Sequence, residues 1–186
     1  MELWKTARFK VRGIEARRRD TPRFVYNAQM EIIQVFASAN NSREFMAKIP
    51  EALGVVKEYR KRLLDGDVPV WDLIVTKRLS KPLGRYRQKV SQVIAAEQLM
   101  KEGADVHAGR NVKFLFTDAT NKRYRRRVMA EQLIERGVNP DLKKYLLFLY
   151  ASAAGLLGFA GYTTEKVYES IHGYVHKNAN LMDFSL

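Results

Sequence analysis

Between Tyr145 and Tyr162 the chain reads YLLFLYASAAGLLGFAGY, without one charged residue. An apolar stretch of about 18 residues has to leave water, either inside a bilayer or at the centre of a protein core. More than half of these positions are Gly, Ala, Ser or Tyr, and Gly155, Gly158 and Gly161 break the helix late. Ahead of it, Pro140-Asp141-Leu142-Lys143-Lys144 reads as a helix start with an acid in the first turn. The expectation is a buried helix over 141–158 of a soluble domain, with a membrane span as the weaker alternative. A chain of 186 residues can bury such a helix, as one large domain or two small lobes.

Cysteine is absent, which removes disulfides, thiol nucleophiles and every thiolate-ligated zinc site. The segment Met1 to Arg8 has no apolar signal core, so an intracellular location is expected. Lys and Arg number 33 against 20 Asp and Glu, a net charge of +13. That excess points to a polyanionic partner, nucleic acid before membrane.

Arg8 to Ala16 alternates basic and apolar residues and reads as an exposed strand, bent at Gly13. Arg17-Arg18-Arg19-Asp20 precedes a helix start, with Thr21 as N-cap and Pro22 at the first helical position. Phe24, Ala28, Ile32, Val35 and Phe36 then share one helical face. Asn41 and Glu44 have capping-box spacing, and Phe45, Ile49, Leu53, Val56, Tyr59 and Leu63 continue at helical period, with Pro50 kinking or dividing that helix. Asp65-Gly66-Asp67 is a turn, and Val70 to Thr76 a strand. A basic loop over 77–87 leads to a helix from about Gln88 to Glu102, with Val90, Ile94 and Leu99 inward and Gly103 as its stop. Asn111 to Thr117 is a further strand. A last helix over 164–172 starts from Thr163 or Thr164. The reading is α+β and mainly helical, with a few short strands.

Three basic clusters, 17–19, 77–87 and 122–127, fall at loops, where a cation can reach a phosphate. Together they suggest a phosphate-tracking groove more than a solvated face. Tyr86 and Tyr124 lie inside two of them, either to pack on sugars or bases or to anchor their loops. Catalytic motifs are missing. His172 and His176 have metal-like spacing without a third ligand and read better as a helix end. Asp65 and Asp67 are turn residues, and Asp118 stands alone after its strand.

The order of these pieces resembles one family. Lys10-Val11-Arg12-Gly13-Ile14-Glu15-Ala16-Arg17-Arg18-Arg19-Asp20 is similar to the segment closing the palm of family B DNA polymerases, and Asp72 to Lys81 with Tyr86 resembles the strand and basic loop of their thumb, particularly in archaeal enzymes. Gly109 to Asp118 resembles the family's Gly-x-x-Val strand, and Asp141 to Tyr145 with Phe159-Ala160-Gly161-Tyr162 its last thumb helix. The family's palm aspartates, which hold two metal ions, and its Lys-x-Tyr element would precede Met1. Asn178, Leu181 and Phe184 resemble the sliding-clamp box ending many archaeal polymerases, with Asn for Gln and Ser185 for the second aromatic; a tail packing on its own domain is the equal alternative.

The resemblance implies a last palm strand and junction over 1–20, a thumb over 21–174, and a tail over 175–186 carrying the candidate clamp motif. The N-terminal strand would complete the palm sheet of a partner. The chain would be the small subunit of a split DNA-directed DNA polymerase, a nucleotidyltransferase heterodimer in the cytoplasm, nucleoid-associated. It would grip primer–template duplex while a large subunit (exonuclease, palm, fingers) supplies the catalytic aspartates and two Mg²⁺ ions. No catalytic residue, metal ligand or membrane contact is expected in this chain. Expected DNA contacts are Arg12, Arg17, Arg18, Arg19, Lys77, Arg78, Ser80, Lys81, Tyr86, Arg87, Lys122, Arg123 and Arg125. A fragment of a longer polymerase would look the same. The alternative function is a free-standing basic double-stranded DNA-binding protein.

Overall fold

Phe24, Ala28, Ile32 and Phe36 recur every four residues, and in the computed structural model they form the buried stripe of α1, Arg23–Ala37. The structure describes residues 20–117, 128–134 and 138–173. The strand expected over 8–16, the basic run 122–127 and the tail from 175 lie outside the described residues. Helix α1 begins one residue later than expected. Pro22, not Thr21, holds the cap position, with an extended ψ of 145° and no side-chain cap.

At the far end of α1, Asn41 accepts from the Glu44 amide at 2.9 Å while the Glu44 carboxylate takes the Asn40 amide at 2.9 Å. This reciprocal pairing starts α2, Ser42–Ala47. Pro50 does divide the helical period: α3 spans Ile49–Leu64 with the proline in its first turn. Ala52, Val56, Tyr59 and Leu63 of α3 pack on α1. Gly66 turns the chain at φ 79°.

The strand expected over 70–76 is corrected. Val70–Leu73 is a 3-10 turn, closed by the Asp72 amide on the Pro69 carbonyl at 2.9 Å. Strand β1 is Val75–Arg78, so Lys77 and Arg78 belong to the sheet, not the loop. Helix α4 spans Ser91–Lys101, and its buried residues are Val93, Ala95 and Ala96; Val90, Ile94 and Leu99 pack at its margin. Small alanines let this helix lie close on the sheet, which a search for large apolar residues overlooks. Strand β2, Asn111–Phe116, pairs antiparallel with β1 and with β3, Val128–Ala130, in the order β1-β2-β3. The Gln98 side chain on α4 donates to the Val128 carbonyl and accepts from the Ala130 amide, both at 2.9 Å, and so occupies the outer margin of β3.

Asp141 caps α5, Leu142–Leu157, by accepting from the Lys144 amide at 3.0 Å. Gly155 does not interrupt this helix. The break comes at the 3-10 turn Gly158–Ala160 and at Gly161, which is left-handed with φ 72°. The stretch Leu142–Ala160 is long and apolar enough to cross a membrane by length and composition. In this fold Tyr145, Leu146, Leu149, Tyr150, Ala153 and Leu157 are buried where α5 meets α1, α3 and α6, Thr164–His172. Thr163 caps α6 by accepting from the Lys166 amide. The architecture is thus mainly helical with one small sheet.

Two cores result. One lies among α1, α3, α5 and α6, and the other between α4 and one face of the sheet. Gln29 is fully buried in the first, donating to the Ser152 carbonyl at 3.4 Å. The buried Tyr145 joins the two: its hydroxyl accepts the Phe116 amide at 2.9 Å, while the Phe116 carbonyl accepts from the Asp141 amide at 2.9 Å. Burial pushes the Tyr145 phenol well above its ordinary value. Tyr145→Phe should leave the Phe116 N–H buried without a partner and cost about 1–3 kcal/mol, read as a lower Tm with little change of secondary structure.

His172 closes α6 by stacking on Tyr168 at 4.1 Å and sharing a hydrogen bond of 3.1 Å with the Tyr150 hydroxyl. Burial, with the nearby Arg60 charge, holds its imidazole below the ordinary 6.5. Because the folded value is the depressed one, this contribution to stability is full above pH 6.5 and is lost as pH falls through the folded value. Thermal melts between pH 8 and pH 5 should show Tm falling on the acid side, and His172→Gln should flatten that fall.

Candidate nucleic-acid interface

Side-chain alternation gives β1 two functions. Val75 faces the α4 side with Phe114 and Val112, whereas Thr76 and Arg78 share the opposite face with Lys113 and Asn111, their cross-strand partners. Arg78 is exposed, and its Nε donates to the Gly109 carbonyl at 3.1 Å, which orients the guanidinium at the sheet's end. Gly109 takes a φ of 89°, a conformation glycine adopts without strain. Lys77 lies 3.6 Å from the Asp20 carboxylate, so the first described residue is held beside β1.

After Arg78 the chain is pinned by Leu79, fully buried, whose amide donates to the Arg110 carbonyl at 2.9 Å and whose carbonyl accepts from Gly109 at 2.7 Å. Ser80 and Lys81 are then exposed. Pro82 leads into a 3-10 turn, Leu83–Arg85, which is followed by Tyr86. The Tyr86 hydroxyl accepts the Ser80 amide at 2.9 Å and lies 3.2 Å from the Ser80 hydroxyl. Lys81 Nζ sits 4.9 Å from the centre of the Tyr86 ring. The Ser80 hydroxyl, with the backbone amides of Ser80 and Lys81 and the Lys81 charge assisting, holds the Tyr86 phenol below its ordinary value. Arg85 and Arg87 flank Tyr86 and are exposed.

The structure therefore brings Ser80, Lys81 and Tyr86 into one bonded unit, with Arg87 adjacent in the chain and Lys77 and Arg78 in the preceding strand. Arg12, Arg17, Arg18, Arg19, Lys122, Arg123 and Arg125 lie outside the described residues, as do Asn178, Leu181, Phe184 and His176. Sequence reading passed over Lys113, which the register sets opposite Thr76 and which lies 3.3 Å from Glu131. It also passed over the hollow of about 350 Å³ that Lys113 lines with Arg23, Tyr26, Trp71 and Thr76. Trp71 is 62% exposed there. Pairing across the sheet brings Thr76 and Lys113 together, and the packing of α1 and the 3-10 turn beside them adds the rest, none of which a linear pattern shows. Arg23 Nε is 3.8 Å from Asp72, tying α1 to the 3-10 turn that carries Trp71.

No group of three or more His, Asp or Glu side chains that could hold a metal ion occurs among the described residues. They do not fit a Mg²⁺ pair, and no bond-making step is assigned to them. What the arrangement can do is present exposed guanidinium and ammonium groups and a hydroxyl from a braced loop to an anionic backbone.

Residues 2–158 match the family model of DNA polymerase family B, and the chain belongs to that family. The DNA polymerase of Pyrococcus glycovorans is 23% identical over 135 residues, which are 73% of this chain and 16% of that protein. The DNA polymerase of Pyrococcus horikoshii is 22% identical over 135 residues, 73% of this chain and 10% of that protein. A solved structure of the family B DNA polymerase from the hyperthermophilic archaeon Pyrobaculum calidifontis superposes with a TM-score of 0.62 at 21% identity, over 73% of this chain and 18% of that one. At that identity the likeness is one of fold. The chain spans no more than 18% of the length of these relatives.

Proposed function

We propose that this chain is the thumb-bearing part of a family B DNA polymerase whose palm aspartates reside on another polypeptide, and that it grips primer–template duplex through backbone phosphates. The observation that carries the reading is the braced basic loop after β1, in a chain of net charge +13 that belongs to a DNA polymerase family. Residues 1–20 would close the palm, residues 21–174 would form the thumb, and the tail from 175 would engage a sliding clamp through Asn178, Leu181 and Phe184. Lys77, Arg78, Ser80, Lys81 and Arg87 would touch phosphates, with Arg12, Arg17 to Arg19, Lys122, Arg123 and Arg125 as further contacts. Contacts to phosphates carry no sequence information, so the duplex could slide through the grip as synthesis advances. Nucleotidyl transfer itself, with Mg²⁺, would belong to the large subunit. The assembly would work in the cytoplasm, on the nucleoid.

Binding to a labelled 20-base-pair duplex across a salt series tests the grip. Lys77→Ala with Arg78→Ala should lower affinity and reduce the slope of log K against log salt by roughly one to two; unchanged affinity and slope would remove this strand end from the interface.

The divided polymerase has its own test. Affinity purification from the source cells after nuclease treatment should recover, at 1:1 stoichiometry, a family B polypeptide that carries the palm aspartates and ends near the Lys-x-Tyr element. Identification by mass of a single polymerase chain containing this sequence would instead show it to be one segment of an undivided enzyme.

A further inference from the structure

Tyr86 has the surroundings of a brace. Leu79 anchors one end of the loop in the sheet core, and Tyr86, half-buried, packs against the same core at the other end. Between them the chain is shaped by Pro82 at φ −55° and by the Tyr86 amide donating to the Leu83 carbonyl at 3.1 Å. The remaining link is made by the phenol: its oxygen accepts the Ser80 amide at 2.9 Å, so the loop closes on the residue before Lys81. Its ring face receives the Lys81 ammonium at 4.9 Å.

One side chain thus controls both the backbone ahead of Lys81 and the position of the lysine's charge. The ring face draws in the ammonium without accepting a conventional hydrogen bond, so the N–H donors stay available to a phosphate oxygen. A lysine on a flexible four-carbon stem otherwise loses rotamer freedom when it engages a ligand, and seating it beforehand reduces that loss.

We infer that Tyr86 is a positioning residue for phosphate binding, which holds Ser80 and Lys81 ready for one phosphate of the duplex without touching the DNA itself. The inference rests on the duplex-gripping reading above and changes the role of Tyr86 within it.

The test uses the same 20-base-pair duplex and salt series with Tyr86→Leu, Lys81→Ala and the double variant. If Tyr86 acts through Lys81, each single variant should weaken binding by a similar factor, roughly three- to ten-fold, and the double variant should be no weaker than the poorer single. Tyr86→Leu should also reduce the salt slope by nearly the increment seen for Lys81→Ala, about 0.9 for one phosphate contact. That shift in slope is what a brace of Lys81 produces and a general loosening of the fold does not.

Losses that multiply in the double variant, with the slope of Tyr86→Leu unchanged, would show direct contact of the tyrosine with DNA and overturn the inference. So would full affinity in Tyr86→Leu. Tyr86→Phe, which keeps the ring and the core packing, replaces Tyr86→Leu should the latter melt below the assay temperature, and the same criteria then apply to the hydroxyl alone. Lys77→Ala with Arg78→Ala separates the two levels: if that variant weakens binding while Tyr86→Leu does not, only the positioning role fails. If neither that variant nor Lys81→Ala weakens binding, the duplex reading falls as well.

Discussion

Both backbone polar groups of Phe116 are spent on the start of α5: its amide on the Tyr145 hydroxyl, its carbonyl on the Asp141 amide. The two cores have separate sets of buried residues, and Phe116, with Phe148, packs against both. A buried N–H or C=O left without a partner is costly, so these bonds fix where the sheet stands against the helices. Phe114, Phe116, Tyr145 and Phe148 add edge-to-face aromatic contacts around the same seam, and Lys144 lies over two of the rings. The basic loop leaves the far side of the same sheet. Its position relative to the helical body is therefore set by a tyrosine that never reaches the surface.

What was legible in the sequence was legible because it is local. Asn41 with Glu44, Asp141 and Thr163 each satisfy amides within a turn of themselves; Asn41 caps where the spacing puts it, Thr163 is one of the two threonines that fit, and Asp141, expected inside the first turn, stands one place earlier as the cap. Gly66, Gly103 and Gly161 mark chain reversals for the same reason. Val70 to Leu73 misled because β-branched and aromatic residues read as a strand, while Pro69 accepts the Asp72 amide and curls the segment into a turn. Strand β3 was not seen at all. Three residues carry no periodicity, and β3 exists through its pairing with β2 and with Gln98. The fully buried Gln29 is a further instance, since the carbonyl its side chain donates to lies 123 residues away.

The candidate interface divides along the same line. Its charge was evident from composition, and the loop from the cluster at 77–87. The distinction between residues that reach outward and residues that brace them was not evident, because it depends on bonds across the loop and across the sheet. Tyr86 and Arg78 show the difference. In sequence Tyr86 fits either a DNA contact or a loop anchor and Arg78 a contact; in the fold one spends its hydroxyl on Ser80 and the other has its guanidinium oriented by Gly109. Under the proposed grip, order within the loop would matter as much as the number of cations, because each flexible side chain would otherwise be immobilised at the moment of contact.

The amide of Gln98 closes one border of the sheet. By taking the carbonyl of Val128 and the amide of Ala130, it occupies the places a neighbouring strand would need. A strand arriving on that side would have to evict a side chain held by its own helix. Lateral extension is therefore blocked at β3 by a side chain of the protein's own α4, and that border is closed without a further strand.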